Sequence, residues 1–419
     1  MKNAVSMLML AVVCLINLGL VMQCSIAGHL SGGAGQLAGA ARELFRRQMI
    51  SAGIGFALMF AVSRVDYRRW RGLAVPGLLF AAVSLVWMGI PGPGPEAVGA
   101  RSALALGQAI LFQPSIWAGW AVVLFMAWWY RAEEIRSPGL FWIPHGALLG
   151  LVTLVSLGAD FSVALLIMLL GGVMLTLGGE KIGYMVMGFT LALTVLAWAI
   201  LHDPERMRVV FSDPWILAGV PPSRQALDAG GWAGVGLGNG GIVRRFPAEA
   251  GGGFMSMVVG EELGLSGLLA LIALYIVIVV LGARIAVKAP DRFGTLLGSG
   301  IVSLWGLQML LNLLAVTALF PIRALPLPLV SHGGFNLCVS LAGVGVLLNI
   351  ASETKRESGA RPCGAGIPAD EKQEVNDFES DRKERRVGSG SEDGLCRRNG
   401  SSAIGLDGST VLKNRAIAR

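Results

Sequence analysis

The sequence predicts an all-α polytopic membrane protein with about ten transmembrane helices and a large extracytoplasmic loop. Hydrophobic residues make up 54% of the 419 residues and charged residues 15%, with a mean hydropathy of +0.65. A soluble domain of this size carries far more charge on its surface. The apolar residues are grouped in blocks of roughly 17–25 residues, the length that crosses the hydrocarbon core of a bilayer as a helix. Because an unpaired backbone group finds no water in lipid, we expect each block to be helical.

The predicted spans follow one another with short polar connections. The first block has only Lys2 as a basic residue before it and leads into further spans, so we interpret it as an uncleaved helix and not as a signal peptide. The approximate bounds are 4–27, 48–64, 72–90, 112–130, 139–157, 160–178, 182–201, 254–284, 292–318 and 332–352.

Basic residues in the short loops predict the orientation of the bundle. The loops after spans two, four and eight are rich in arginine and lysine, which favours the cytoplasmic side. These residues are Arg64, Arg68, Arg69, Arg71, Arg131, Arg136, Arg284, Lys288 and Arg292. A contrary cluster, Arg42, Arg46 and Arg47, precedes span two. On balance we expect both termini in the cytoplasm, and we attribute the net charge of +7 to these topology signals and not to a nucleic-acid partner.

The stretch 203–253 separates spans seven and eight and is predicted to face outward. It is charged and rich in glycine, and it also contains tryptophan and phenylalanine. A loop of this length is usually functional or disordered, and its aromatic and patterned glycine content argues against disorder. We therefore expect it to be a structured loop over one mouth of the bundle, where chemistry on a lipid-borne substrate takes place.

The end of the chain has a different composition. Residues 353–419 are polar, highly charged and poor in aromatic residues, so we expect a disordered cytoplasmic tail after a transmembrane domain of residues 1–352. The five cysteines and four histidines are scattered without metal-ligand spacing, and we predict no metal site built from them.

Three motifs after span seven carry a resemblance to a known family. The clearest is Leu-Pro-Leu-Pro-Leu-Val-Ser-His-Gly-Gly over 325–334, and the others are Gly-Val-Gly-Leu-Gly-Asn over 234–239 and Val-Gly-Glu-Glu-Leu-Gly over 259–264. Weaker similarities lie at 19–22, 46–48, 99–101 and 113–115. In their order and spacing they resemble the SEDS family, the bacterial cell-wall membrane proteins of FtsW, RodA and SpoVE type.

The resemblance implies a function in peptidoglycan synthesis. Such proteins polymerise lipid II on the outer face of the bacterial inner (plasma) membrane, in cell division or cell-shape maintenance, with undecaprenyl diphosphate as the leaving group. The implied partners are a penicillin-binding transpeptidase and proteins of the divisome or elongasome. The attacking sugar hydroxyl needs a carboxylate base, and the diphosphate needs cationic stabilisation. The sequence identifies no cofactor, and the resemblance admits a divalent cation.

The chain departs from the family pattern at the residues tied to catalysis. The family's catalytic Asp position is Gly253 here, and glycine has no proton acceptor. The Glu and Lys of the family's span-four motif are replaced by Ile116 and Gly119. Glu249 and Asp160 are the carboxylates that we predict as substitutes. Asp160 could equally cap the helix that follows it.

Other polar residues are candidates for substrate contact or for structure. Arginines on the outward side would face the diphosphate, although lone arginines near headgroups also serve as interfacial anchors. The substrate-binding candidates are Arg101, Arg244, Arg245, Ser331, His332, Gly333 and Gly334, with Arg323 as a further arginine. Structural roles within the bundle are expected for Glu261, Glu262, Pro326 and Pro328.

Three functional hypotheses follow from the sequence. The first is a lipid II-polymerising glycosyltransferase with a displaced base. The second is a catalytically inactive relative that acts as a scaffold for lipid II or for a transpeptidase. The third is a lipid flippase or transporter, which any polytopic bundle with inward polar residues could be.

Overall fold

The structure is a computed structural model, and it describes residues 2–31, 34–89, 104–105, 111–131, 142–157, 161–202, 222–241, 252–317, 319, 324–331 and 333–360. Residues 1–360 form one compact unit. The predicted disordered tail lies almost entirely outside the described residues, and the division at residue 352 stays a prediction.

The described part of the chain is helical, as the sequence predicts. Its α-helices are α1 (Lys2–Ser31), α2 (Ala34–Arg64), α3 (Ala74–Gly89), α4 (Pro114–Trp129), α5 (Trp142–Leu157), α6 (Phe161–Gly178), α7 (Ile182–Leu201), α8 (Pro222–Gly230), α9 (Met255–Glu262), α10 (Gly264–Ala286), α11 (Arg292–Val316) and α12 (Gly334–Ala360). A 3-10 helix, Tyr67–Leu73, connects α2 to α3. The antiparallel pair β1 (Leu104–Ala105) and β2 (Leu111–Phe112) precedes α4. The all-α fold class is therefore confirmed.

Seven segments of the described chain are long and apolar enough to cross a membrane. They are Asn3–Ala27, Tyr67–Trp87, Phe161–Gly178, Ile182–Ala199, Gly264–Ala286, Arg292–Val316 and Gly334–Glu357, and the apolar helices Pro114–Trp129 and Trp142–Ser156 are shorter. The predicted span 48–64 lies within α2. The count of ten stays a prediction.

The eighth predicted span, 254–284, is not one helix, and in this respect the prediction was wrong. It is divided into α9 and α10 at Leu263 and Gly264. Gly264 has a φ of +71°, and a Cβ on it would overlap the backbone of Trp232 and Gly234. Only glycine adopts this conformation readily and admits such a close approach. Hydropathy does not reveal the break because apolar residues continue on both sides of it.

Helices α2 and α12 extend beyond the predicted spans. Helix α2 starts at Ala34, ahead of the predicted start at 48. Hydropathy does not reveal its first half, because that half is helical but charged. Within that half, Glu43 lies 2.7 Å from Arg46 and 2.8 Å from Arg47, so two members of the contrary basic cluster are paired. The last helix continues to Ala360.

The core lies between helices that approach closely at glycines. Helix α12 packs along α2, α10 packs on α11, and α4 packs against α3, α6 and α11. A Cβ at Gly345 of α12 would approach the carbonyl oxygen of Met59 in α2, and Gly343 leaves room for the ring of Trp120. Small residues at such contacts let helix backbones come together in a membrane.

A polar cluster fixes the end of the bundle that is predicted to be cytoplasmic. Asp291 caps α11 by accepting from the Gly294 N–H at 3.1 Å, and it also accepts hydrogen bonds from the Tyr67 hydroxyl and from Arg71. Asn349 of α12 accepts from the Tyr67 N–H at 2.9 Å. These contacts join the 3-10 helix to α11 and α12.

Candidate functional site

A glycine-rich loop, residues 231–241, lies against the break between α9 and α10. The Val235 N–H donates to the Glu261 carbonyl and the Gly236 N–H to the Glu262 carbonyl, each at 3.0 Å. These bonds satisfy carbonyl groups at the end of α9, which have no partner within so short a helix. The motif at 234–239 is therefore hydrogen-bonded to the motif at 259–264.

A three-member hydrogen-bond chain joins this loop to α1. The Ser25 hydroxyl oxygen lies 2.7 and 2.6 Å from the two carboxylate oxygens of Glu262, and it accepts from the Gly238 N–H at 2.9 Å. The Glu262 side chain is 1% exposed and that of Glu261 is 2% exposed. Sequence reasoning missed Ser25, although a serine near the end of an apolar span is a signal of polar contact within the bundle.

Asn312 of α11 connects the start of α9 to the segment that precedes α12. Its side-chain amide donates to the carbonyl groups of Gly253 and Leu325, and its amide oxygen accepts from the Ser256 hydroxyl. The Asn312 side chain is fully buried. Sequence reasoning also missed this residue, which lies in an apolar run where an amide is costly unless it is bonded.

Gly253 has no room for a side chain in this arrangement. A Cβ built on it would overlap the carbonyl oxygen of Ala324, a backbone atom that cannot turn aside. An aspartate at position 253 therefore requires movement of the segment beside it. The local packing at this position therefore favours the glycine that the sequence has.

Ile116 and Gly119, the two other predicted departures from the family pattern, are both buried in α4. Ile116 is buried in α4, and a Cβ on Gly119 would lie 3.3 Å from a methyl group of Leu304 in α11. A charged side chain at position 119 would meet this methyl group, and one at position 116 would be buried, which is costly without a partner. At Gly119 the structure has a contact between α4 and α11.

The proline-rich motif forms a tight, buried turn. The Ser331 hydroxyl accepts from the Leu327 N–H at 2.8 Å, and the Tyr275 hydroxyl of α10 donates to the Pro328 carbonyl. Leu329 has a φ of +68°, which is strained for a residue with a large side chain. Gly19 of α1 approaches this turn so closely that a Cβ on it would overlap the Val330 carbonyl oxygen.

The structure therefore brings together some of the predicted residues. The described candidates are Gly253, Glu261, Glu262, Pro326, Pro328, Ser331, Gly333 and Gly334. Outside the described residues lie Glu249, Asp160, Arg101, Arg244, Arg245, Arg323 and His332. The catalytic and substrate-binding roles stay predictions.

The described residues also bear on the expected divalent cation. Within them, no group of three or more His, Cys, Asp or Glu side chains could hold a metal ion. These residues therefore do not fit a protein-held metal site.

The chain matches a protein family over nearly its whole helical part. Residues 6–356 match the family model of the cell cycle proteins FtsW, RodA and SpoVE. The chain is 34% identical to the probable peptidoglycan glycosyltransferase FtsW of Geobacter sulfurreducens, over 74% of this chain and 86% of that protein. It is 31% identical to the stage V sporulation protein E of Bacillus subtilis, over 73% of this chain and 86% of that protein.

A solved structure shows the same fold. It belongs to a study of polymerisation and crosslinking by a peptidoglycan synthase complex, and one of its chains superimposes with a TM-score of 0.64 and 26% identity. The superposition covers 83% of this chain and 97% of that chain. With the apolar helices described above, these similarities show a multi-pass membrane protein.

Proposed function

Because this chain belongs to the FtsW, RodA and SpoVE family of cell cycle proteins, we propose that it acts in peptidoglycan synthesis as a glycosyltransferase that polymerises lipid II. The observation that carries the proposal is the family match over residues 6–356, together with relatives named as peptidoglycan glycosyltransferases. The proposed location is the bacterial inner membrane, with both termini in the cytoplasm and the loop 203–253 outside.

The described site supplies a hydrogen-bonded frame for this chemistry. Ser25 and Asn312 bond to the two ends of α9, the loop 231–241 donates to its last carbonyl groups, and Asn312 joins its start to the segment that contains Ser331. Transfer of a glycosyl group needs a base at the attacking hydroxyl and cations at the departing diphosphate. A fixed frame is what holds such groups in reacting geometry.

The base in this proposal comes from a carboxylate other than the family's. Gly253 carries none, and Glu249, four residues earlier in the chain, is the proposed substitute, with Asp160 as the second choice. Arg101, Arg244 and Arg245 are the proposed cations at the diphosphate. A divalent cation at the diphosphate belongs to the proposal by resemblance to the family only.

The proposed partner is a penicillin-binding transpeptidase. The similar solved chain belongs to a complex that couples polymerisation to crosslinking, and crosslinking is the chemistry of a transpeptidase. Divisome or elongasome proteins are the further partners that we propose.

One observation favours a second role, that of a lipid II-binding scaffold without catalysis. Gly253 packs on the Ala324 backbone without room for a side chain, and Ile116 and Gly119 are buried in α4, so none of the three positions supplies a charged group. General-base assistance contributes about a hundred- to ten-thousandfold in rate, so a chain without any substitute base would be nearly inactive.

A gel assay of glycan chains from labelled lipid II distinguishes the two roles. The purified protein is tested with and without a candidate transpeptidase, and Glu249→Ala and Asp160→Ala are tested beside it. Polymerisation that one of these substitutions abolishes supports the glycosyltransferase and identifies its base. Binding of lipid II without glycan chains, unchanged by either substitution, supports the scaffold.

A further inference from the structure

A cleft opens between α1 and α10 at the end of the bundle far from the candidate site. It has a volume of about 280 Å³. Its lining residues are Asn3, Ala4, Met7, Leu281, Arg284, Ile285 and Lys288. The residues from α10 are spaced by three and four, so they lie on one face of that helix.

The cleft lies on the opposite side of the membrane from the candidate site. Ser25, near the end of α1, contacts Glu262 just before α10 begins, whereas Asn3 of α1 lines the cleft together with Lys288, just beyond the end of α10. The two helices therefore run antiparallel. The rise from residue 3 to residue 25 along a helix is roughly 33 Å, close to the thickness of the hydrocarbon core.

The floor of the cleft is apolar and its rim is positively charged. Leu281 and Ile285 are buried beneath it, and Arg284 and Lys288 are exposed beside it. In the part of the chain that the structure describes, neither cation forms an ion pair with a carboxylate. Asp291, the next carboxylate along the chain, is bonded to Tyr67 and Arg71. The positive charge at the rim is therefore not balanced by these groups.

Apolar side chains continue from the cleft toward the middle of the membrane. On α1, Met7 and Leu10 are 55% and 65% exposed. On α10, Val277 and Val280 are exposed one to two turns before Arg284, on the side of the helix that carries it. A ligand that fits both parts has an anionic head and a hydrocarbon chain.

We propose that this cleft binds an anionic phospholipid of the leaflet opposite the candidate site. The phosphate group lies between Arg284 and Lys288, and an acyl chain lies along Met7, Leu10, Val277 and Val280. Basic pockets between transmembrane helices recognise lipid headgroups in this way. Cations at a helix C-terminus also interact favourably with the helix dipole, and basic residues beside a span help to set the orientation of the protein in the membrane. Neither effect requires a cleft between two helices. The proposal does not depend on whether the chain polymerises lipid II.

Native mass spectrometry of the delipidated full chain tests the proposal. The protein is titrated with phosphatidylglycerol and, separately, with phosphatidylcholine of the same acyl chains. We expect one phosphatidylglycerol to be retained under conditions that remove phosphatidylcholine. The double variant Arg284→Gln/Lys288→Gln should weaken phosphatidylglycerol binding by about thirtyfold. Soluble glycerol phosphate should not compete, because it lacks the acyl chain.

Matched variants separate the cleft from general effects of charge and folding. Arg64→Gln/Arg69→Gln removes the same charge from exposed residues of the predicted cytoplasmic side, outside the cleft, and should leave binding unchanged. Met7→Trp keeps both cations but fills the cleft, and it should weaken binding even if the double glutamine variant does not fold. Equal binding of the two lipids, equal losses in both double variants, or competition by glycerol phosphate would overturn the proposal.

Discussion

The packing of Gly253 makes a prediction about the simplest change at that position. Gly253→Ala adds a Cβ that overlaps the Ala324 carbonyl oxygen, so the turn between the two segments must move. Overpacking of this kind costs about 1–3 kcal/mol, and the lower entropy of the unfolded alanine variant offsets about 0.4–1 kcal/mol of it. Movement of Gly253 also strains the hydrogen bond that its carbonyl accepts from Asn312. We expect a net loss of about 1–2 kcal/mol.

Thermal unfolding of the purified protein in one detergent, at one scan rate, measures this loss. Gly253→Ala should lower Tm by a few degrees, and Gly253→Asp should lower it further because it also places a carboxylate in the contact. Gly172→Ala is the control, since a Cβ at this position of α6 meets nothing within 4 Å. It should leave Tm unchanged or raise it slightly. If Gly253→Ala unfolds at the same temperature as the wild type and the Gly172→Ala control, the close contact between Gly253 and Ala324 is refuted.

Three further predictions concern the frame of the site and its orientation. Ser25→Ala removes the donor to buried Glu262 and should cost about 1.5–3 kcal/mol. Thermal unfolding measures this loss against the control Ser63→Ala, whose hydroxyl bonds only on an exposed face. Equal Tm values for the two variants would contradict the role of Ser25. Asn312→Leu leaves the buried Leu325 carbonyl, the part-buried Gly253 carbonyl and the Ser256 hydroxyl without their Asn312 partner and should cost at least about 3 kcal/mol. Asn17→Leu removes one exposed bond and should cost little. Similar losses in the two variants would refute the role of Asn312. Single cysteines at Ser212 and Ser389, in a background without the native five, should be labelled from outside only at 212; labelling of 389 alone on intact cells would reverse the topology.

The sequence predicts the apolar helices well because hydropathy and length decide them. The predicted span 182–201 coincides with α7, and the predicted start at 292 coincides with that of α11. Membrane-spanning segments must satisfy every backbone group internally, so a long apolar block has few alternatives to a helix.

The sequence does not predict the features that depend on contacts between distant segments. The break at Gly264 exists because the backbone of the loop 231–241 packs against it, and no local pattern reports that approach. Ser25 and Asn312 look like isolated polar residues in apolar runs until their partners are known. Likewise, the sequence has a glycine at position 253, but only the structure shows that a neighbouring carbonyl group occupies the space that a side chain would need.

The central claim, that this chain acts on lipid II, is tested most directly by the binding of lipid II to the purified protein. Both proposed roles require it, whether or not glycan chains are made. Microscale thermophoresis with fluorescent lipid II in detergent should show saturable binding. Undecaprenyl diphosphate should compete because it carries the same diphosphate. Arg244→Gln/Arg245→Gln should weaken this binding, whereas Arg284→Gln/Lys288→Gln, on the opposite side of the bundle, should leave it unchanged. Absence of saturable binding, or equal binding of a neutral lipid of the same chain length, would contradict the account.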